Sequence, residues 1–218
     1  MRVRRISAAI ATLSAVTLAA TAVAAPAQAA HEPALGTTSL VEVLGADGVG
    51  FDKDWNDFDI VEAAAFAVLG NNPSSAVGLL ADGTQALTAF IPTDKAFRNL
   101  AFQLTGTRPK TEAATVEALA GAVGLETIEA VLLYHVVPGA TVAYADALKA
   151  NGAELGTGLG APLTVKVTGK GKGKTVKLVD ADLDKRNARV IKAASDLNAG
   201  NLQIAHGIDM VLRPIDLP

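Results

Sequence analysis

Apolar positions recur at helical spacing through the first two-thirds of the chain and at a spacing of two thereafter. Ser39-x-x-Glu42 is a capping box leading into Leu40, Val43 and Leu44, which predicts a short helix. Asp59-x-x-Glu62 opens a second helix with Ile60, Ala64, Ala67 and Val68 on one stripe, and Gly70-Asn71-Asn72-Pro73 stops it. Leu87 to Ile91 reads as a strand closed by Pro92. Thr93 or Asp94 then caps a helix carrying Ala96, Phe97, Leu100 and Leu104. Thr111 caps the next one, with Val116, Leu119, Ala120 and Val123 on one face and Gly124 at its end. Ile128, Val131, Leu132 and His135 fall at i, i+3, i+4 and i+7, so a further helix follows directly. Pro138 and the two β-branched residues before it turn that helix into an extended segment near His135. Tyr144 to Ala150 reads as a brief helical turn.

From Leu163 the period becomes two. Leu163, Val165 and Val167 alternate with Thr164, Lys166 and Thr168, and Val176 and Leu178 answer them across a turn. Arg189 to Ala193 and Ile208 to Leu212 read as further strands. Helices first and strands afterwards predict an α+β fold with a largely antiparallel sheet.

The N-terminus does not fit this pattern. Met1-Arg2-Val3-Arg4-Arg5 is a positive stretch, residues 6–24 are apolar apart from Ser and Thr, and Ala27-Gln28-Ala29 is a small-residue cleavage signal. Residues 1–29 are therefore expected to be a cleaved secretory signal, 30–38 a flexible entry in which His31 is solvated, and 39–218 one domain. Losing Arg2, Arg4 and Arg5 takes the formal charge from −3 to about −6. An acidic chain is a poor general partner for nucleic acid. There is no cysteine, hence no disulfide framework and no thiol for a lipid anchor. No later apolar run approaches the roughly 20 residues that span a bilayer. These features predict a secreted, extracellular protein that does not insert into membranes.

Candidate chemistry is sparse. Four carboxylates gather in Asp52-Lys53-Asp54-Trp55-Asn56-Asp57-Phe58-Asp59, but a calcium loop would need Gly where Asp57 stands and Glu where Ala63 stands, so a solvated acidic turn is expected. Asp180-x-Asp182-x-Asp184 fails the same comparison at Lys185 and Ile191 and reads as an exposed strand end. No metal and no cofactor are expected. A hydrolase would have to draw on Ser195, His206 and Asp209, or on His135 with a carboxylate, and the chain has neither a G-x-S-x-G elbow nor a thiol. Catalysis is not expected. Gly169-Lys170-Gly171-Lys172-Gly173-Lys174 reads as a flexible, charged hairpin turn, and Lys170, Lys172 and Lys174 are the candidate contacts for a polyanion.

Three blocks resemble the fasciclin domain family. Thr88-Ala89-Phe90-Ile91-Pro92-Thr93-Asp94-Lys95-Ala96-Phe97 looks like the family's first signature, and Leu132-Leu133-Tyr134-His135-Val136-Val137-Pro138-Gly139 like its central Tyr-His block. His206-Gly207-Ile208-Asp209-Met210-Val211-Leu212-Arg213-Pro214 is similar to its closing signature. Gly207 and Arg213 depart from that signature by replacing apolar residues, and Asn201 to Ala205 is longer than the usual approach to the His. The resemblance implies a single α+β domain, a wedge-shaped antiparallel β-sandwich with helices packed along it. It implies a non-enzymatic protein of adhesion or cell-surface interaction, whose partner is a cell-surface or matrix protein or polysaccharide; the chain itself is expected to be a monomer. A carrier of an apolar small molecule is the alternative. Phe90, Pro92, Thr93, Asp94, Phe97 and His206 would be structural. Tyr134, His135 and Asp209 are the interaction residues the family suggests, although a histidine on an apolar helix face is ordinarily a satisfied buried group.

Overall fold

The computed structural model describes residues 34–215, except 49 and 183–184. The expected signal segment, His31 and Asp184 lie outside the described residues. The end of the expected flexible entry is tied down, because Gly36 exchanges backbone hydrogen bonds with Gly200 (2.8 Å) and Leu202 (2.9 Å). Asn201 also accepts from the Thr38 amide at 3.1 Å.

The described elements are helices α1 (Leu40–Leu44), α2 (Asp59–Asn71), α3 (Asp94–Thr105), α4 (Glu112–Tyr134) and α5 (Tyr144–Ala147), with strands β1 (Leu87–Pro92), β2 (Val136–Pro138), β3 (Glu154–Gly156), β4 (Pro162–Thr168), β5 (Thr175–Val179), β6 (Ala188–Arg189) and β7 (Gln203–Ile208). The capping box closes as predicted. Ser39 Oγ accepts from the Glu42 amide at 3.2 Å, and Glu42 accepts from the Ser39 amide at 2.8 Å. Helix α4 is broken at Gly124, whose φ of 78° and ψ of 162° only glycine adopts without strain, so the two predicted helices are halves of one interrupted element.

The strands form two sheets, in the orders β2-β1-β7 and β3-β4-β5-β6. The fold class is α+β, as the chain order predicts. The four-stranded sheet is antiparallel throughout, whereas β1 and β7 run parallel from Leu87↔Gln203 to Pro92↔Ile208. Hydrophobic period is blind to strand direction, and the long chain between β1 and β7 supplies the crossover that parallel pairing requires. The last strand also begins earlier than the apolar pattern suggested. Residues 203–208 pair, while beyond Ile208 the chain turns and Asp209 binds the Arg189 backbone. Pairing of β6 likewise stops at Arg189, although a lone bridge from Val190 to Ile208 joins the two sheets.

The sheet β2-β1-β7 separates two apolar cores. Leu87, Ala89 and Ile91 of β1 pack with Ile60, Val68, Phe97 and Leu132 of the helices. Phe90, on the opposite face, packs with Tyr134, Val165, Leu178 and Leu212. Every residue of β1 and of β7 is buried. Such doubly covered strands read as apolar runs instead of alternating ones.

Both departures from the closing signature have a physical reason. A Cβ on Gly207 would stand 2.8 Å from Ala194 Cβ and 3.1 Å from Phe58 Cζ, so the strand passes too close to its neighbours for a side chain. Arg213 is buried and forms an ion pair with Asp182 at 2.7 Å, hydrogen bonds to Gln103, and donates its amide to Asp180 at 2.9 Å. Asp182 is therefore part of the interior and not of an exposed strand end. Gly207→Val overfills the site and is expected to cost about 1–3 kcal/mol, read as a lower midpoint in denaturant melts.

Candidate functional site

The Tyr-His block ends α4 and starts β2, and both of its polar side chains point inward. Tyr134 donates its hydroxyl to the Pro162 carbonyl at 2.9 Å, tying the helix end to the four-stranded sheet. His135 lies between two backbone groups: Nδ1–H donates to Val131 O at 2.6 Å and Nε2 accepts from the Leu212 amide at 2.9 Å. A carbonyl only accepts and an amide only donates, so the ring is neutral and its tautomer is fixed. Burial pushes its pKa from 6.5 down to about 4, against the opposing pull of the Val131 carbonyl.

His206, in the middle of β7, uses the opposite tautomer. Nδ1 accepts from the Asp196 amide at 3.1 Å and Nε2–H donates to Val142 O at 2.8 Å. Its pKa is also lowered, first by burial. Phe90 and Tyr144 flank the ring, with centroids 5.9 Å and 6.4 Å away. Ser195 Oγ donates to Lys192 O at 2.9 Å, and Asp209 lies with Arg186 and Arg189, so no nucleophile–base–carboxylate chain joins these residues.

Phe90, Pro92, Thr93, Asp94 and Phe97 are all buried, as a structural motif requires. Neither predicted cap works quite as spacing suggested. Thr93 holds the N-cap position of α3 without a side-chain bond. Asp94 instead reaches across to the start of α2, where Oδ1 accepts from the Ile60 amide at 3.0 Å. Three other buried polar groups escaped the sequence reading. Thr88 accepts from the Val142 amide (2.9 Å) and donates to Ala140 O (2.7 Å). Gln203 is fully buried and clasps three segments, accepting from the Leu40 amide at 2.8 Å and donating to Leu79 O and Asp82 O at 2.7 and 2.8 Å. Glu112, the first residue of α4, is also buried. A polar residue inside an otherwise apolar strand was the one available signal for Thr88 and Gln203.

Of the three family-implied interaction residues, the interior holds Tyr134 and His135, and Asp209 alone reaches the surface. It forms an ion pair with Arg186 at 2.9 Å, lies 3.9 Å from Arg189 Nε, and accepts from the Arg189 amide at 2.8 Å. Around it opens a depression of about 490 Å³ and mixed character, with Asn56, Lys95, Asn99, Arg186 and Asp209 beside Ile191 and two alanines. Asn99 and Arg186 continue into a second depression of about 390 Å³, where Arg108 bonds Asn99 at 2.9 Å and lies 5.0 Å over the Phe102 ring. Lys170, Lys172 and Lys174 are exposed on a tight turn between β4 and β5. A further cavity of about 100 Å³ is walled by α2, α3 and both halves of α4, with Phe97, Leu119, Ile128 and Leu132 among its apolar lining. Among the described residues, no helix is long and apolar enough to cross a membrane.

The model of the fasciclin domain matches residues 67–214, more than half of the chain. No curated protein matches it. Among solved structures, a FAS1 domain pair from the insect cell adhesion molecule Fasciclin I is similar at 17% identity with a TM-score of 0.48, covering 69% of this chain. The chain spans 44% of that structure's length.

His135→Ala leaves the Leu212 amide without its acceptor in a dry interior and is expected to cost about 2–4 kcal/mol. The depressed pKa fixes the sign of the pH effect. The stabilisation by neutral His135 is complete above pH 6.5 and is lost as the pH falls from 6.5 through about 4. Thermal melts of wild type and variant across that window should converge as acidity rises.

Proposed function

Because the chain belongs to the fasciclin domain family, we propose that it is a secreted, non-catalytic interaction module that mediates adhesion at a cell surface or in a matrix. One observation carries this reading: both imidazoles of the described chain are committed at both ring nitrogens to backbone groups. They hold the fold, and neither ring is free to act as a general base. What the domain offers outward is the depression around Asp209, with Lys95, Asn99 and Arg186 in reach of a polar polymer or protein. Its contacts would be hydrogen bonds and exposed ion pairs, giving modest, salt-sensitive affinity suited to repeated attachment.

The carrier reading has one observation in its favour, the apolar cavity of about 100 Å³. Pockets that enclose a drug-sized molecule run to roughly 300–1,000 Å³, so this one is sized for a fragment only. A reproducible extra mass of small-molecule size on the purified mature protein would favour the carrier; a bare polypeptide mass supports the interaction module.

The adhesion reading is tested by immobilising the mature protein and measuring retention of cells of the producing organism. Arg186→Glu should lower retention several-fold and change the melting temperature by no more than about 2 °C, since an exposed ion pair contributes little stability. Absence of saturable retention by the wild type, or equal retention by the variant, would overturn it.

A further inference from the structure

The first residues of three helices meet under the acidic loop. Asp59 begins α2, Asp94 begins α3 and Glu112 begins α4. One carboxylate oxygen from each lies within 4.8 Å of the others, and Asp59 belongs to a second such triad with Asp52 and Asp57. The loop is held onto α3 by its own backbone, the Asp94 amide donating to Asp57 O (3.1 Å) and the Lys95 amide to Trp55 O (2.8 Å). The turn expected to be solvated is thus folded inward at its C-terminal end, although Asp52 and Asp54 remain exposed.

Acidic residues at helix starts are ordinary, since the helix field favours them. These differ in burial and in what their oxygens lack. Glu112 is 1% exposed and Asp94 0%. Both Glu112 oxygens, Asp94 Oδ2 and Asp57 Oδ1 accept no hydrogen bond. The Asp52 amide faces Glu112 but donates to Asp59 Oδ2 at 3.2 Å. Among the described residues, no Lys, Arg or His forms a salt bridge with Asp57, Asp94 or Glu112. A buried carboxylate with no donor and no counter-charge costs several kcal/mol and does not persist ionised. A proton shared between Asp57 and Asp94 would relieve that pair but would leave both oxygens of Glu112 without a donor.

We propose that Asp59, Asp94 and Glu112, with Asp57 at the rim, bind one divalent cation of the size of calcium. Calcium takes oxygen ligands at about 2.3–2.6 Å, so oxygens across the ion stand about 5 Å apart, which suits a carboxylate set confined within 4.8 Å. Magnesium requires about 2.1 Å and a near-perfect octahedron, and it holds its waters in preference to an all-carboxylate cage. The hard oxygens and the absence of cysteine exclude a thiolate metal. An ion here would cross-link the starts of α2, α3 and α4 and pin the acidic loop to all three.

The experiment uses the mature chain stripped with a chelator and titrated with calcium chloride at pH 7.5 in a calorimeter, with thermal melts in parallel. One ion per chain should bind, with a Kd between about 1 µM and 1 mM, and the melting temperature should rise by several degrees and fall back on chelation. Terbium gives a local readout: exciting Trp55, the single tryptophan of the chain, within the loop, should yield terbium emission that calcium displaces. Glu112→Gln should weaken calcium binding at least tenfold while melting no lower than wild type in chelator, because it removes a buried charge. Should that variant fail to fold, Asp57→Asn at the half-buried rim is expected to show a weaker loss, about threefold or more. No heat and no thermal shift up to about 10 mM calcium, or wild-type affinity in the variants, would overturn the site. Equal binding of magnesium would overturn the assignment to calcium.

Discussion

Two imidazoles hold the central sheet to its surroundings. His135 joins the last turn of α4 to the segment after β7, and His206 joins β7 to the loops at Val142 and Asp196. Each replaces water on backbone groups that the packing has sealed off, and each can do so only while uncharged, with a different nitrogen carrying the proton. Thr88 and Gln203 work in the same manner beside them, on β1 and β7. In a chain without a disulfide, these polar clasps set the order of the connecting segments, and the two apolar cores then fill the space on either side of the sheet.

The three blocks that resemble one family turn out to be one structural object. The first supplies β1 from Thr88, the second β2 and the third the end of β7 from His206, so the similarity touches all three strands of a single sheet with their flanking turns. Residues that build such a sheet act on the fold before they act on any partner. That explains why Tyr134 and His135 lie inside, whereas Asn99 and Arg186, which belong to no block, line the surface depression beside Lys95 and Asp209.

Helix stripes, caps and the β4–β5 hairpin were legible because each depends on residues near one another in the chain. Ser39 and Glu42, or Val165 and Leu178, declare their relation by spacing and alternation. The direction of β7, the burial of Arg213 and the gathering of Asp59, Asp94 and Glu112 were not legible. Each depends on segments brought together from far apart, and an acid at a helix start looks the same in sequence whether it faces solvent or two other carboxylates. Composition argued for a solvated acidic loop because it could not see α3 and α4 beneath it.

The parallel pairing of β1 with β7 has a consequence for how the chain is made. Residue 87 finds its partner at residue 203, so one entire edge of the innermost strand has no hydrogen-bond partner until residues 203–208 have been synthesised. Closing so long a loop is slow, and helices formed earlier can collapse on one another without completing either core. A nascent chain that ends before Gln203 has β1 paired along one edge only, so neither core is closed. Synthesis of β7 is then the event that turns a pliable polypeptide into a finished domain.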